Sequence, residues 1–512
     1  MITTLLCMVD IIHCSSDNRT VVQVNDIIIQ IKKGESVDWH DVVIVGDLKP
    51  SDLPSVSLER TLIEVGILRL NETAKLVNSS ILIANSEIRG NVSFDNIIFQ
   101  RPISFVNTVF DGYADFRGSK FKKQTYFGYS NFKNFTNFDG TDFGYSSFER
   151  ARFIKDASFK YANFMKDATF YNVTFFGDVS FSNSQFIGKF IGDSALFFGS
   201  ADFGYSKFHN SVVFDGSLFS GETNFEESQF NKTSSFRNAI FKGESLFSDS
   251  KFKENVLFEN AIFQKNLHLT RSRFDKMYIR WNNIKKNLYY DDETYISLIE
   301  NFKELGYYND ADNCYYLMRE KQFLNREIGN DPLMFFVDLG AWILYGFGKR
   351  PLYPLLWSLY FITFFGFIWM AIGLNAKKKL ICMTTILWSL VFFSIFRSIL
   401  FEGEMIELWL SIFFIAPLGI FWVMILLKKS DIWNDEYYTA KKWPRGLSEA
   451  VFFSSTVFLS GTRLFVDPPA IPEPQKTDFS LTKKLFIIER LIGALFSLLF
   501  FLALTGMVIR PL

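Results

Sequence analysis

From Ile83 onward, large apolar residues recur at alternating intervals of five and six: Ile83, Ile88, Phe94, Phe99, Phe105, Phe110, Phe116, Phe121, Phe127, Phe132 and Phe138, a period of eleven. A run of pure fives, Phe138, Phe143, Phe148 and Phe153, interrupts the alternation. It then continues from Phe159 to Phe186, skips near Gly192, and runs on from Phe197 through Phe263 to Phe274. On an α-helix a step of five turns about 140° and a step of six about 240°, so the rings would scatter around the cylinder. On a straight strand the two steps differ in parity, so the rings would swing between faces. A chain that turns a corner every five or six residues sends one Phe inward from each short side. Stacked coils about 4.8 Å apart would then build columns of Phe along the axis.

Two residues before each Phe stands a small or β-branched residue, as in Ala157 before Phe159, Ala162 before Phe164, Ala168 before Phe170 and Ser206 before Phe208. The triplets Ala114-Asp115-Phe116, Ala162-Asn163-Phe164 and Ala201-Asp202-Phe203 resemble the pentapeptide-repeat family. The resemblance covers roughly residues 80–277. It implies a right-handed, four-sided β-helix of eight or nine coils over 81–277, about 40 Å long at the usual strand spacing. The extra residue in each eleven would bulge alternate corners. Some proteins of this family mimic duplex DNA with acidic surfaces. Here residues 83–277 carry 23 Lys+Arg against 21 Asp+Glu, so that mimicry has no electrostatic basis and no nucleic-acid partner is expected. A protein partner on the solenoid faces remains open.

Residues 1–80 read as a β-rich N-terminal cap, with apolar runs at Val21–Ile31 and Val42–Val45. The stretch Thr3–Ile12 lacks a basic lead and is broken by Asp10, so it is not read as a signal peptide and the solenoid is expected in the cytoplasm. The four Cys contain no CxxC pair, and Cys7, His13 and Cys14 match no metal-ligand spacing. No P-loop, GxGxxG, GxSxG or HExxH is present, so no catalytic residue, metal or cofactor is assigned and no enzyme is expected.

Beyond the repeats the period changes. Tyr295, Leu298, Ile299, Phe302 and Leu305 form one helical stripe, Gly306 ends it, and Ala311, Cys314, Tyr315 and Met318 start a second. A helical hairpin is expected across 278–330. Residues 331–350, with Asp338 and Trp342, suit a helix lying in a membrane interface. Long uncharged runs then predict about four transmembrane helices, at 352–374, 380–401, 405–427 and 485–509. The chain is thus expected to be mainly β in its N-terminal part and an α-helical, multi-pass membrane protein of the cell membrane in its C-terminal part. Lys377–Lys379 and Lys428-Lys429 would lie outside in that orientation, against the positive-inside tendency.

Within 405–512 an outer helix (405–427), a short apolar segment (447–460) and a final helix (485–509) resemble the two-helix pore unit of potassium channels. Phe453-Ser454-Ser455-Thr456-Val457-Phe458 is similar to the end of that family's pore helix, and Glu489-Arg490-Leu491-Ile492-Gly493-Ala494 to the start of its inner helix. The resemblance implies a homotetramer with pore or filter candidates at Thr456, Val457, Ser460, Gly461, Thr462, Arg463 and Asp467, and inner-helix residues Glu489, Arg490 and Gly493. The family's filter, T-x-G-Y/F-G-D, is replaced here by Ser460-Gly461-Thr462-Arg463-Leu464-Phe465-Val466-Asp467. A four-fold ring of Arg463 would repel cations and favour anions. No spanning run carries the repeated Arg of a voltage sensor; Arg397 stands alone at the end of one, in reach of Glu402 or Glu404. Two functions follow as expectations. One is a non-selective or anion-favouring pore regulated by the solenoid. The other is a membrane-anchored interaction scaffold whose pore fold does not conduct.

Overall fold

A computed structural model describes residues 19–50, 53–57, 73–325, 332–373, 385–392, 444, 446–462, 467–469 and 480–505. The chain divides into two compact units, Met1–Cys314 and Tyr315–Leu512. The first is a β-solenoid of about eleven turns, built from four sheets of which three have eleven strands and one has nine. Ten strand spacings make it roughly 48 Å long. It has more coils than the repeat alone predicts because the N-terminal segment joins it. Strands Thr20–Gln23, Val37–His40 and Val42–Val45 pair in parallel with each other or with the strands that follow, as the end rungs of two sheets.

Each coil repeats after 22 residues, so Phe110 lies over Phe132 and Phe121 over Phe143. The run of pure fives is the place where one coil shortens to 21, with Phe132 over Phe153 and Phe143 over Phe164. Two kinds of corner alternate. One is a four-residue turn closed by a backbone bond such as Ser119 N–H to Phe116 O at 3.2 Å, with a left-handed residue at its third position. That residue recurs every eleven along the chain, at Asn107, Gly118, Tyr129 and Gly140, and then at Arg150 after ten where the coil is short. The other corner lies on a step of six, as at Lys122–Gln124 between Phe121 and Phe127, and at Gly144-Tyr145, between Phe143 and Phe148, it has lost one residue.

The rings pack as the period requires. Phe110, Phe132, Phe153, Phe175, Phe197, Phe219, Phe241 and Phe263 stack with centroids 4.5–5.3 Å apart, one ring per coil. The column from Phe99 to Phe252 repeats that spacing. Two further columns meet edge-to-face across the axis, as at Phe116–Phe127 (5.4 Å, 73°) and Phe138–Phe148 (5.5 Å, 80°). Both geometries suit the ring quadrupole, and burial of each Phe contributes on the order of 1.5–3 kcal/mol. The small residue two places earlier has its own role. Fully buried Thr141, Ser184, Ser206 and Ser228 each donate a hydroxyl to the carbonyl of a Phe in the preceding coil, at 2.6–2.8 Å. These bonds stitch one coil to the next and pair those four buried hydroxyls.

The skip at Gly192 is a local exchange. Phe190 occupies the place of the small residue, pairing with Ala168 and Val212, and Gly192 occupies the place of the Phe. The Phe190 ring enters the same column from two residues away, 5.3 Å from Phe170 and 4.9 Å from Phe214. A Cβ on Gly192 would come within 2.8 Å of that ring, so glycine is required there.

Both ends of the solenoid are covered. Helix α1, Val24–Lys33, buries Val24, Ile27 and Ile31 at the first coil and ends at left-handed Gly34. After the last coil come α2 (Trp281–Ile284), α3 (Asp292–Glu304) and the start of α4 (Tyr308–Leu324). Asp291 caps α3 by accepting from Thr294 N–H at 3.0 Å, and Gly306 with φ +74° closes it. Its buried stripe is the one visible in sequence, Tyr295, Leu298, Ile299 and Phe302. Asn301 of α3 accepts from Met277 N–H and donates to Met277 O, both at 2.9 Å, so a side chain replaces the missing next strand.

Two measurements follow. Phe190→Ala is expected to cost about 3–5 kcal/mol and Gly192→Phe about 1–3 kcal/mol or more, while the double variant restores the regular repeat and melts close to wild type. Thermal unfolding of the purified chain checks this. Burial, with the Asp215 carboxyl beside it, holds the Asp193 carboxyl above its ordinary value of 3.8. A carboxyl raised in the fold adds stability at low pH that is lost as pH rises through its folded value. Asp193→Asn is therefore expected to flatten that fall in a melting-temperature profile taken upward from pH 3.8.

Candidate functional site

The second unit is helical in its described residues. Helix α5, Pro332–Tyr345, leads through Gly346–Gly348 to α6, Leu352–Gly373; residues 385–392 are helical; α7 is Leu447–Leu459 and α8 is Ser480–Thr505. Leu352–Met370 and Thr482–Leu504 are long and apolar enough to cross a membrane. At about 1.5 Å per residue the 13-residue α7 reaches only about 20 Å, short of the roughly 30 Å hydrocarbon core. The outer helix expected at 405–427 lies outside the described residues, and so does most of 380–401, including Arg397.

Helix α7 is held between α6 and α8. On the α8 side two glycines make the contact: a Cβ on Gly493 would lie 2.0 Å from Phe458 O, and one on Gly461 would lie 2.3 Å from Arg490 O. Small residues at such a crossing let the two backbones approach closely. On the α6 side Gly366 faces Val451, and the Ser454 hydroxyl donates to Ile362 O at 2.7 Å.

The candidate residues fall around this crossing. Val457 is fully buried and joins the core with Phe458. Ser460 is buried, donates to Val457 O at 2.7 Å, and through its own carbonyl accepts from Arg490 Nη2 at 3.3 Å. Thr456 donates back to Phe453 O at 2.7 Å, a bond within its own helix. Thr462 is partly exposed and Asp467 exposed. Arg463, on which anion preference rests, lies outside the described residues, as do Cys7, His13 and Cys14.

Glu489 is the polar centre of the unit. Its carboxyl is fully buried, accepts from Trp369 Nε1 of α6 at 2.7 Å, and hydrogen-bonds the Ser454 hydroxyl of α7. One carboxyl thus ties three helices together. A Glu in a largely apolar helix is visible in sequence, but its partners are not: Trp369 is 120 residues away. Among the described residues no group of three or more His, Cys, Asp or Glu is placed to hold a metal. The arrangement binds helices to one another.

Gly493→Val is expected to force α7 off α8, because the new Cβ meets main-chain atoms that have nowhere to yield. A clear drop in melting temperature in detergent, larger than for Leu491→Val on the exposed face of α8, checks this.

Residues 83–131, 118–163, 193–240 and 203–250 match the family model for pentapeptide repeats. No curated protein and no solved structure matches the chain. The match falls on the coils whose Phe columns and Ser ladders are described above, and it reaches none of the helical unit. Over those residues the solenoid is similar to pentapeptide repeats.

Proposed function

We propose that the protein is a membrane-anchored interaction scaffold. The observation that carries this reading is the use of residues in the solenoid. Every Phe column, Ser ladder and coil end is spent on holding the coil, and α1 and α3 cover the two ends. What remains for recognition is the outward surface of four parallel sheets, which suits a protein partner. The apolar α6 and α8 supply the anchor, with the lipid bilayer as their solvent. A cytoplasmic solenoid in the cell membrane is part of this proposal.

A pore is the second reading, favoured by one observation. A helix too short to span, α7, is packed by glycine contacts between two helices long enough to do so, which is an arrangement suited to a re-entrant segment. In that reading a homotetramer conducts ions, with anions favoured by Arg463.

The test has two arms. The full chain is expected to stay with membranes after alkaline extraction, and release into the soluble fraction would remove the anchor. Liposomes holding purified protein are then compared for potassium, sodium and chloride flux. No flux is expected for the scaffold. Flux whose ion preference changes in Arg463→Ala, from a tetramer by native mass, would establish the pore instead.

A further inference from the structure

We propose that one side of the solenoid docks on an anionic lipid surface. It is the sheet running from Ile97–Phe99 to Arg273–Phe274, taken with the corner that follows each of its strands. The inference deepens the scaffold reading above and rests on its membrane setting.

The first observation is how the coil sorts charge. Lys120 lies over Asp142 and Asp142 over Asn163, so residues 21 or 22 apart stand on the same side. From 97–102 in one coil to 272–276 in the last, this side carries 12 Lys+Arg against 4 Asp+Glu. The rest of residues 83–277 carries the other 11 against 17. The near balance of the whole solenoid therefore hides one basic side and three that are acidic together. A basic side of this kind attracts an anionic surface.

The second is that the cations there are open. Lys122, Lys123, Lys166, Lys189, Lys253 and Arg273 are exposed, and among the described residues none of their side chains is in an ion pair or hydrogen bond. Three of the four acids on this side are engaged. Asp142 pairs with Lys120 at 2.8 Å, Glu254 pairs with Lys232 at 2.7 Å, and Asp167 accepts from the Lys189 backbone N–H at 2.9 Å. Elsewhere on the solenoid several cations are held instead, as in Arg117–Asp115 at 2.7 Å and Lys133–Asp111 at 2.6 Å.

The third is the middle of this side. Met165 and Ile187 project from successive coils, 57% and 39% exposed, with exposed Lys166 and Lys189 close after them in the chain. The Ile187 N–H donates to Phe164 O at 2.8 Å, which fixes the two one coil apart. Apolar side chains among cations suit a surface with anionic headgroups outside and acyl chains beneath. The cations stand on one face of nine paired strands, roughly 38 Å long, whereas a single nucleic-acid strand is tracked by a groove. A leaflet is also the anion always at hand. The apolar α6 and α8 follow in the same chain, and so tether the solenoid beside it at a high effective concentration.

The experiment uses the purified full chain, reconstituted into vesicles of phosphatidylcholine alone or of phosphatidylcholine with phosphatidylglycerol. Flotation is measured first, and lysine acetylation is then followed residue by residue by mass spectrometry. Lys122, Lys123, Lys166, Lys189 and Lys253 are expected to react several-fold more slowly on the phosphatidylglycerol vesicles and to recover in high salt. Lys155, Lys160, Lys242 and Lys265, exposed on the other sides, are expected to react alike on both. Lys166→Gln and Lys189→Gln are each expected to lower the docked-to-free ratio roughly fivefold, as about 1 kcal/mol per basic residue near an anionic surface implies. Lys166→Arg and Lys189→Arg are expected to keep it. Equal acetylation of both sets on the two vesicles overturns the docking and leaves the anchor standing. Protection of the basic side by duplex DNA or polyglutamate, but not by phosphatidylglycerol, overturns it in favour of a nucleic-acid or protein partner. Failure to float with phosphatidylcholine overturns the anchor; flotation that then needs phosphatidylglycerol, with the same lysines protected, keeps the docking side.

Discussion

Parallel pairing between coils at a fixed offset is the interaction on which the first unit depends. With the offset set at 22 residues, every side chain lies on its counterpart one coil away, whatever it is. An in-register stack rewards side chains that pack on copies of themselves, and a flat ring does so well. Rings stack along the axis and meet edge-to-face across it, so the same residue type can line four columns. The price is paid in uniformity: a single coil cannot change shape without its neighbours. The two departures show how such a change is accommodated. Removing one residue at Gly144-Tyr145 shortens a coil at a corner, outside the columns. Moving a ring from position 192 to 190 keeps the ring in its column while the backbone keeps its register.

The helical unit is organised by different physics. In the proposed membrane setting apolar side chains have no preference for one another over lipid, so helices meet through close backbone approach and through polar groups that need partners. Gly461 and Gly493 supply the first, and Glu489 with Trp369 and Ser454 the second. The residues that resemble a pore are thus bound up in holding α7 between α6 and α8. A re-entrant pore helix would have to be held in the same way, so this packing serves the scaffold and the pore alike.

Much of the solenoid was legible because its signal is repeated many times. Alternating steps of five and six exclude both regular elements, and eighteen or so repetitions leave little room for coincidence. The helix at 292–304 was legible for the ordinary reason, an i, i+3, i+4, i+7 stripe followed by Gly306. The N-terminal coils were not, since Val42–Val45 carries the β-branched residues of any strand and no Phe period. Candidate site residues were named from local resemblance, and that resemblance spoke of Glu489 and Gly493 without their partners. Trp369 could not be added, because nothing in its own neighbourhood marks it.

By itself, then, the sequence determined the coil: its period, its inward residues and the place where the alternation of five and six breaks, all of which are short-range or periodic facts. Tertiary structure alone decided the rest. It decided that Phe190 substitutes for the ring missing at 192, that Asn301 closes the last strand, and that Glu489 joins three helices. Each of these joins residues from separate elements, or from one position and its neighbours in space, and a contact of that kind leaves no trace in the spacing of the chain. The Ser ladder lies between the two cases: its period is visible, but the carbonyl that each hydroxyl satisfies appears only once coils are stacked.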